Sequence, residues 1–355
     1  MKKPAITVLL IATIAFNVCG QRKIIHLPDL PGYITLKCDF HLHTIFSDGN
    51  VWPTVRIDEA LRDGLDAIAI TDHLEYTPKK DYVPIDFNAG WKMGEKYADE
   101  RNLILVHGAE ITRKMPPGHF NALFIQDANL LAVDSVMDAF EAAIKQGAFL
   151  QWNHPGWKSQ EPDGIPKLYP IHKKLLEKGW IHGIEFFNDN EYYPLVLTFC
   201  IQYNLAVTGN SDNHGVISED YPKPSWPNRP MTLVFAKART SDALKEALFA
   251  GRTLVYFGDK IAGKEEYARP FFYRCISVGK QYAENEKSIF FEVANSSDVS
   301  FYLVNGIPEA PSSIYLAANS VTRIVLSKKV TSPLIYDVKN IMTGENEVLK
   351  IELKY

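Results

Sequence analysis

The chain has 355 residues, of which 46% are hydrophobic, 12% aromatic and 23% charged, and this globular composition excludes a fibrous or disordered chain. The length exceeds one ordinary domain, so we expect either a barrel-sized unit with a smaller unit or a single large α/β domain with an appendage. Lysine and arginine total 38 against 42 aspartate and glutamate residues, and the net charge of -4 excludes nucleic-acid binding by bulk charge.

The N-terminal segment has the pattern of an export signal. Lys2 and Lys3 precede an apolar run from Ala5 to Val18, which is too short to cross a bilayer core that needs ~20 residues. We therefore predict an export signal at residues 1–19. Cys19 ends the run and leaves two alternatives: it is lipidated, as in bacterial lipoproteins, or it is incidental to an ordinary cleaved signal. The first predicts a lipid tether to the membrane of the cell envelope, and the second a periplasmic protein.

Three further cysteines, Cys38, Cys200 and Cys275, are scattered over the chain. An odd number without regular spacing is not a disulfide framework, and no Cys-x-x-Cys pair suggests a zinc site built from thiolates. We expect these cysteines to be small buried hydrophobic residues. Any bound metal must then be held by histidine and carboxylate side chains.

Apolar runs of strand length alternate with amphipathic stretches of helix length between Ile34 and Ala236. The alternation predicts parallel strands, and eight runs fit a barrel better than an open sheet. The predicted strands are Ile34–His43, Leu65–His73, Leu103–Thr112, Phe120–Gln126, Ala148–His154, Ile181–Asn188, Leu205–Asn210 and Thr232–Ala236. The predicted helices are Val55–Asp63, Trp91–Glu100, Ser135–Gln146, Ile171–Lys178 and Pro194–Tyr203.

The pattern changes near residue 265, where helical periodicity gives way to short alternating runs. These runs predict a small β-sandwich-like domain over residues 265–355, which follows a barrel domain at residues 25–260. Its predicted strands are Ile289–Ala294, Val299–Val304, Val321–Leu326 and Val348–Leu353.

Histidines and carboxylates cluster where the apolar runs end. His41 and His43 are two positions apart in a strand, so both side chains lie on one face and can bind one ion. Each such residue has an ordinary structural explanation, but their accumulation at one end of successive predicted parallel strands indicates a metal site. Imidazole and carboxylate ligands suit Zn, Mn or Fe. The candidate ligands are His41, His43, Asp48, His73, Glu110, His119, His154, Asp212 and His214.

The motifs that contain these residues resemble the PHP (polymerase and histidinol phosphatase) family in order and spacing. The resemblance covers roughly residues 34–257 and does not extend to the C-terminal domain. It implies an α/β fold, a distorted (β/α)7 barrel, with two or three divalent metal ions that hydrolyse a small-molecule phosphate ester. The motifs are His41-Leu42-His43-Thr44, Ser47-Asp48-Gly49, Thr71-Asp72-His73, Gly108-Ala109-Glu110, His154-Pro155 and Ser211-Asp212-Asn213-His214.

Position by position, the resemblance implies three groups of ligands. The implied chemistry is attack on phosphorus by a hydroxide that bridges two metal ions, with Asp212 or His214 as proton shuttle. Asp48 stands where some members have histidine, and the identity of the metal stays open. The groups are His41, His43, Glu110 and Asp212 for the first metal, Glu110 (bridging), His119 and His154 for the second, and Asp48, His73 and His214 for the third.

Phosphate oxygens that do not contact metal need other donors, and three cations follow the predicted ligands: Arg113, Lys114 and Lys158. We expect Arg113 to act as the catalytic clamp, because a guanidinium can form two parallel hydrogen bonds with phosphate. The alternative for each cation is a solvated surface charge. The predicted pocket residues are Asn153, Trp157, Glu185, Asn188 and Asn210, and the histidines left as structural or surface residues are His26, His107, His172 and His182.

Three hypotheses account for these features. The first is an exported metal-dependent phosphoesterase, and the complete ligand set favours it. The second is an amidohydrolase-like enzyme that uses the metal ions on a non-phosphate bond, which the additional group of Asp48, His73 and His214 disfavours. The third is an envelope binding protein whose C-terminal β domain recognises a glycan or a partner. The sequence does not indicate the substrate, a preference for monoesters or diesters, or the oligomeric state.

Overall fold

The computed structural model describes residues 22–223, 225, 227–308, 310–330 and 333–355. The predicted export signal, with Cys19, lies outside these residues. Within the described ranges, no helix has the length and apolar character required to cross a bilayer.

The first part of the described chain alternates strands with helices. Its strands are β1 (Ile34–Asp39), β2 (Ala67–Ile70), β3 (Ile104–Thr112), β4 (His119–Leu123), β5 (Phe149–Trp152), β6 (Gly183–Asn188), β7 (Glu191–Tyr192), β8 (Ala206–Asn210), β9 (Met231–Ala236), β10 (Thr253–Phe257) and β11 (Lys260–Gly263). Its helices are α1 (Pro53–Asp63), α2 (Ala89–Asp99), α3 (Val136–Lys145), α4 (Pro170–Glu177), α5 (Leu195–Gln202), α6 (Ile217–Asp220) and α7 (Ser241–Phe249).

Local sequence signals determine where these helices begin and end. Pro53 opens α1, and Gly64 follows that helix with φ of 83°, a left-handed conformation that favours glycine. The Ser135 side chain accepts a hydrogen bond from the Asp138 amide at the start of α3. Such caps explain why the predicted helix boundaries agree with the structure to within a few residues.

The barrel strands are ordered β9-β1-β2-β3-β4-β5-β6-β8. The prediction that all of them are parallel is wrong, because β4 is antiparallel to both β3 and β5, and β9 is antiparallel to β1. Residues 113–118 alone connect β3 to β4, and such a short connection allows a hairpin but no crossover. As a result His119, the first residue of β4, pairs with Thr112, the last residue of β3.

Two features bring β8 back to the start of the barrel. Leu42 and Asn213 form a parallel bridge just beyond the ends of β1 and β8. Below that bridge, threonine hydroxyls replace backbone pairing: Thr232 Oγ1 accepts from the Gly209 amide at 2.9 Å, and Thr253 Oγ1 from the Val207 amide at 3.0 Å. The eight strands thus surround the interior as a distorted α/β barrel, which is the predicted fold class.

Among its described residues, the C-terminal part contains one helix, a four-stranded sheet and four strands that continue the sheet of the barrel. The helix, α8 (Glu265–Cys275), is absent from the sequence prediction; Pro270 within it interrupts the helical pattern. The strands are β12 (Ile276–Val278), β13 (Ala283–Glu284), β14 (Ser288–Asn295), β15 (Phe301–Val304), β16 (Ser313–Leu316), β17 (Ser320–Ser327), β18 (Leu334–Gly344) and β19 (Glu347–Leu353).

The two parts share a sheet and a core. Strand β11 pairs in parallel with β18, with Ile261 opposite Ile341. One continuous hydrophobic cluster contains Leu254 of the barrel, Phe271 of α8 and Tyr336 of β18. The C-terminal part therefore packs on the side of the barrel as a structural extension of it.

Candidate metal centre

The predicted ligands lie together at one end of the barrel. His43 follows β1, Glu110 lies near the end of β3, His154 follows β5 and Asp212 follows β8, so the carboxyl ends of these strands converge there. His119 reaches the same end from the amino end of β4, because that strand runs in the opposite direction. Strand β4 therefore adds His119 as a ligand, which a uniformly parallel barrel would place at the far end.

Glu110 is at the centre of the cluster and is completely buried. Its Oε1 lies 3.0 Å from Nδ1 of His119 and 3.6 Å from Nε2 of His41. Its Oε2 lies 2.5 Å from Nδ1 of His73 and 3.7 Å from Nε2 of His43. One carboxylate thus faces imidazoles from all three predicted ligand groups.

Asp212 forms a second point of convergence. Its Oδ1 lies 3.1 Å from Nε2 of His41 and 3.0 Å from Nε2 of His43. The residue has φ of 51°, a conformation that aspartate tolerates better than most residues. The backbone thereby turns immediately after β8, which brings the carboxylate over the barrel end.

Asp48 lies close to the ligands at the outer end of the cluster. Its Oδ1 lies 3.3 Å from Nε2 of His214, 3.5 Å from Nε2 of His73 and 3.8 Å from Nδ1 of His43. The His43 ring stacks against the rings of both His73 and His214, at centroid distances of 4.3 and 4.1 Å. The outer group therefore contains His43 as well as the three predicted residues.

Three groups of side chains have ligand atoms within 4.8 Å of one another. Within the described chain, the buried atoms His41 Nε2, Glu110 Oε2 and His119 Nδ1 lie close to other ligand atoms but form no hydrogen bond of acceptable geometry. Buried polar atoms without partners are costly, and divalent cations would satisfy them. The donors thus fit divalent metal ions. The groups are His43, Asp48, His73 and His214; His41, His43 and Asp212; and Glu110, His119 and His154.

The electrostatics of the cluster also favour bound cations. Burial alone would raise the pKa of Asp212, but the adjacent His41 and His43 outweigh it and keep that pKa well below its ordinary value. Burial would lower the pKa of His73, yet the Glu110 carboxylate raises it to about 10. Burial lowers the pKa of His43 to about 3. The buried carboxylates therefore require positive charge, which metal ions can supply.

A network of amide side chains supports the cluster from the barrel interior. Asn153 donates from Nδ2 to Glu110 Oε1 at 3.1 Å and to Asn121 Oδ1 at 2.9 Å. Gln151 and Asn210 donate to Oε1 of Glu185, at 3.1 and 2.9 Å. Among the predicted pocket residues, Asn153, Glu185 and Asn210 thus lie below the ligands and orient them.

The buried guanidinium of Arg56 connects the two main ligand segments. Its Nε donates to the His43 carbonyl at 2.9 Å, and its Nη2 donates to the Asn213 carbonyl at 2.8 Å. Its Nη1 bonds the Glu59 carboxylate at 2.8 Å, so the charge is paired. Sequence reasoning missed Arg56, because a helical arginine carries no signal of such contacts.

A cavity of about 440 Å³ opens above the ligands. Trp157 and Asn188, both predicted, form part of its wall. Tyr76, Thr112, Asp189 and Glu191 were not anticipated, although Asp189 and Glu191 follow β6 at the same strand ends as the ligands. The lining residues are Asp48, His73, Tyr76, Thr112, His119, His154, Trp157, Asn188, Asp189, Glu191, Asp212 and His214.

The structure corrects the expectation for Arg113. Its Nη2 lies 2.9 Å from Oε1 of Glu75 and donates to the Val133 carbonyl at 2.6 Å. Arg113 is absent from the cavity wall, as are Lys114 and Lys158. Nη2 is engaged by these partners and the side chain does not line the cavity, so this arrangement does not provide a phosphate clamp.

Two solved structures are similar to this chain to different degrees. A two-domain protein of Bacteroides vulgatus, described as containing a predicted PHP-like metal-dependent phosphoesterase, is 40% identical; the match covers 94% of this chain and 98% of that one, with a TM-score of 0.90. A candidate metal-dependent phosphoesterase of Bifidobacterium adolescentis is 18% identical over 60% of this chain and 96% of its own, with a TM-score of 0.42.

Two matches cover shorter parts of the chain. An uncharacterized protein of Methanocaldococcus jannaschii is 35% identical over 82 residues, which are 23% of this chain and 36% of that relative. The chain therefore spans about a third of the length of this curated relative. A family described as an Ig-like domain matches residues 276–354. From the near-complete match to the Bacteroides protein and the ligand cluster, we conclude that the chain belongs to the PHP family and carries a C-terminal Ig-like domain.

Proposed function

We propose that the protein is an exported, metal-dependent phosphoesterase that hydrolyses a small-molecule phosphate ester. The observation that carries the proposal is the position of Glu110, whose two carboxylate oxygens face imidazoles of all three ligand groups. Bound divalent ions, two or three of Mn, Zn or Fe, would lower the pKa of a water shared between them and neutralise the phosphate oxygens. The protein residues hold those ions in place.

The chain's own residues provide orientation and proton transfer. His214 is the more exposed of the two shuttle candidates, with 38% of its side chain exposed against 16% for Asp212. Its Nδ1 lies 2.7 Å from the Asp212 carbonyl and its Nε2 faces Asp48. We assign the supply of the proton that the departing alkoxide needs to Asp212 and His214, and His214 exchanges this proton with solvent.

The sequence of residues 1–19 supports the proposal of export, because Lys2 and Lys3 precede an apolar run that ends at Cys19. Export would place the enzyme in the periplasm or, with a lipid on Cys19, on the membrane of the cell envelope. Such a location fits a role in recovering phosphate from extracellular small molecules.

The test is turnover by the purified chain. The metal-free protein is reloaded with Mn²⁺, Zn²⁺ or Fe²⁺ and assayed against phosphomonoesters, phosphodiesters and amides. We expect phosphate release that needs metal and falls at least a thousandfold in Glu110→Gln. Glu95→Gln, at an exposed position on α2, is the matched control. Release with no metal, or hydrolysis of amides alone, would refute the proposal.

A further inference from the structure

The cavity wall above the metal centre carries carboxylates beyond the ligands and no lysine or arginine among the described residues. Its metal-facing end would be positive once ions are bound, and Asp189 and Glu191 lie on the wall beyond the ligands. The two ends of the cavity therefore differ in charge.

Both wall carboxylates are held in place by neutral donors. The Tyr221 hydroxyl donates to Asp189 Oδ1 at 3.0 Å, and the Tyr193 hydroxyl donates to Glu191 Oε2 at 2.9 Å. Neither carboxylate forms an ion pair with a lysine or arginine within the described residues. Their charges thus remain available to act on whatever enters the cavity.

Two aromatic side chains supply apolar surface close to the ligands. Trp157 is 40% exposed, and its ring lies 5.3 Å from that of His154. Tyr76 is 53% exposed, and its ring lies 5.9 Å from that of His73. A substrate whose phosphate sits on the metal ions would place its carbon skeleton beside these rings.

We propose, on the basis of the proposed function, that the site selects phosphate esters whose alcohol part carries no negative charge. The metal ions receive the single phosphate group, the aromatic rings contact the carbon skeleton, and Asp189 and Glu191 repel any second anion. A second phosphate or a carboxylate would lie near these two residues with no cation to pair with. Polyphosphates, sugar bisphosphates and nucleic acids are therefore poor substrates.

The test compares three phenyl phosphates that differ at the para position: a neutral hydroxymethyl, an anionic carboxylate and a cationic trimethylammonium group. Each is assayed with the metal-loaded full chain and with the Asp189→Asn/Glu191→Gln variant. Asp99→Asn, at the exposed end of α2, is the control. For each pair of esters, the ratio of their kcat/KM values is taken first in the wild type and then in the variant. Dividing the wild-type ratio by the variant ratio cancels the intrinsic reactivity of the esters.

We expect the preference for the neutral over the anionic ester to fall about tenfold or more in the double variant, since two repulsive charges are removed near the substrate. The cationic ester should be hydrolysed at least as well as the neutral one. An unchanged preference in the variant, or a cationic ester that is disfavoured, would overturn the proposal.

Failure of the proposed function would give a different result. If no phosphate ester is hydrolysed with any metal, calorimetry with benzylphosphonate and its 4-carboxy derivative still measures selection by the wall. Stronger binding of the neutral phosphonate, lost in the double variant, supports the inference. Equal binding of the two compounds, or binding of neither, refutes it.

Discussion

Nδ1 of His41 lies 2.9 Å from Oε1 of Glu185, and both side chains are completely buried. The carboxylate accepts a hydrogen bond from Nδ1–H and thereby fixes the ring so that Nε2 faces Glu110 and Asp212. Oε2 of Glu185 accepts the His154 backbone amide at 2.8 Å. One buried carboxylate thus positions ligands from two of the three groups.

Glu185→Gln should weaken metal binding roughly ten- to a hundredfold, as observed when residues behind metal ligands are altered. Both oxygens of Glu185 accept hydrogen bonds, so an amide nitrogen in place of either would face another donor. Competition with a chromogenic chelator measures the affinity. Glu177→Gln, exposed at the end of α4, is the control. Wild-type affinity in Glu185→Gln would show that the contact does not serve metal binding.

Asp48→Asn should reduce the number of bound metal ions by one. Asp48 Oδ1 faces His73, His214 and His43, so the outer group loses its only carboxylate among the residues assigned to it. The groups centred on Glu110 and Asp212 keep all their ligands. Elemental analysis after removal of loosely bound metal gives the stoichiometry. An unchanged metal count in Asp48→Asn would contradict a separate outer site.

The positions of the metal ligands could be predicted from the sequence because strand ends mark one end of a barrel. The direction of β4 is also within reach, since the predicted strands leave only residues 113–119 between the third and the fourth, too few for a crossover, but the alternation of strands and helices favours a parallel arrangement. Arg113 shows a second limit. Its partner Glu75 is distant in the sequence, so only the fold reveals that the guanidinium already has a carboxylate partner. In the sequence, Asp189 and Glu191 look like the acidic residues of an ordinary polar turn. Only the structure shows that both line the cavity.

The protein should lose stability in mild acid partly through His182. Burial lowers the pKa of His182 to about 4, and its Nδ1 accepts the Leu150 amide at 2.9 Å. Between the unfolded pKa of ~6.5 and the folded value, the unfolded state binds the proton first, so this contribution is present above pH 6.5 and lost as the pH falls towards 4.

Chemical denaturation at pH 7.5 and pH 5 measures this effect. Because the loss of metal in acid is common to both proteins, the comparison of wild type with His182→Gln isolates the histidine. The wild type should lose on the order of 1–2 kcal/mol more than the variant between the two pH values. An equal loss in both proteins would show that His182 titrates normally.

The barrel and the Ig-like domain should unfold in one transition, because β11 and β18 pair and a single hydrophobic cluster spans both. Ile341 on β18 is completely buried, whereas Ile335 on the same strand is 51% exposed. Ile341→Ala should therefore lower the free energy of unfolding by about 2–5 kcal/mol, and Ile335→Ala by much less.

Fluorescence and far-UV circular dichroism, recorded as a function of denaturant concentration, monitor the unfolding of both parts. In Ile341→Ala we expect both signals to shift to lower denaturant concentration by the same amount, and metal to be released in the same transition. The shared core makes this outcome necessary, since loss of packing at β18 weakens β11 and through it the barrel strand β10. Two separate transitions, with the metal retained after the first, would instead establish the Ig-like domain as an independent unit.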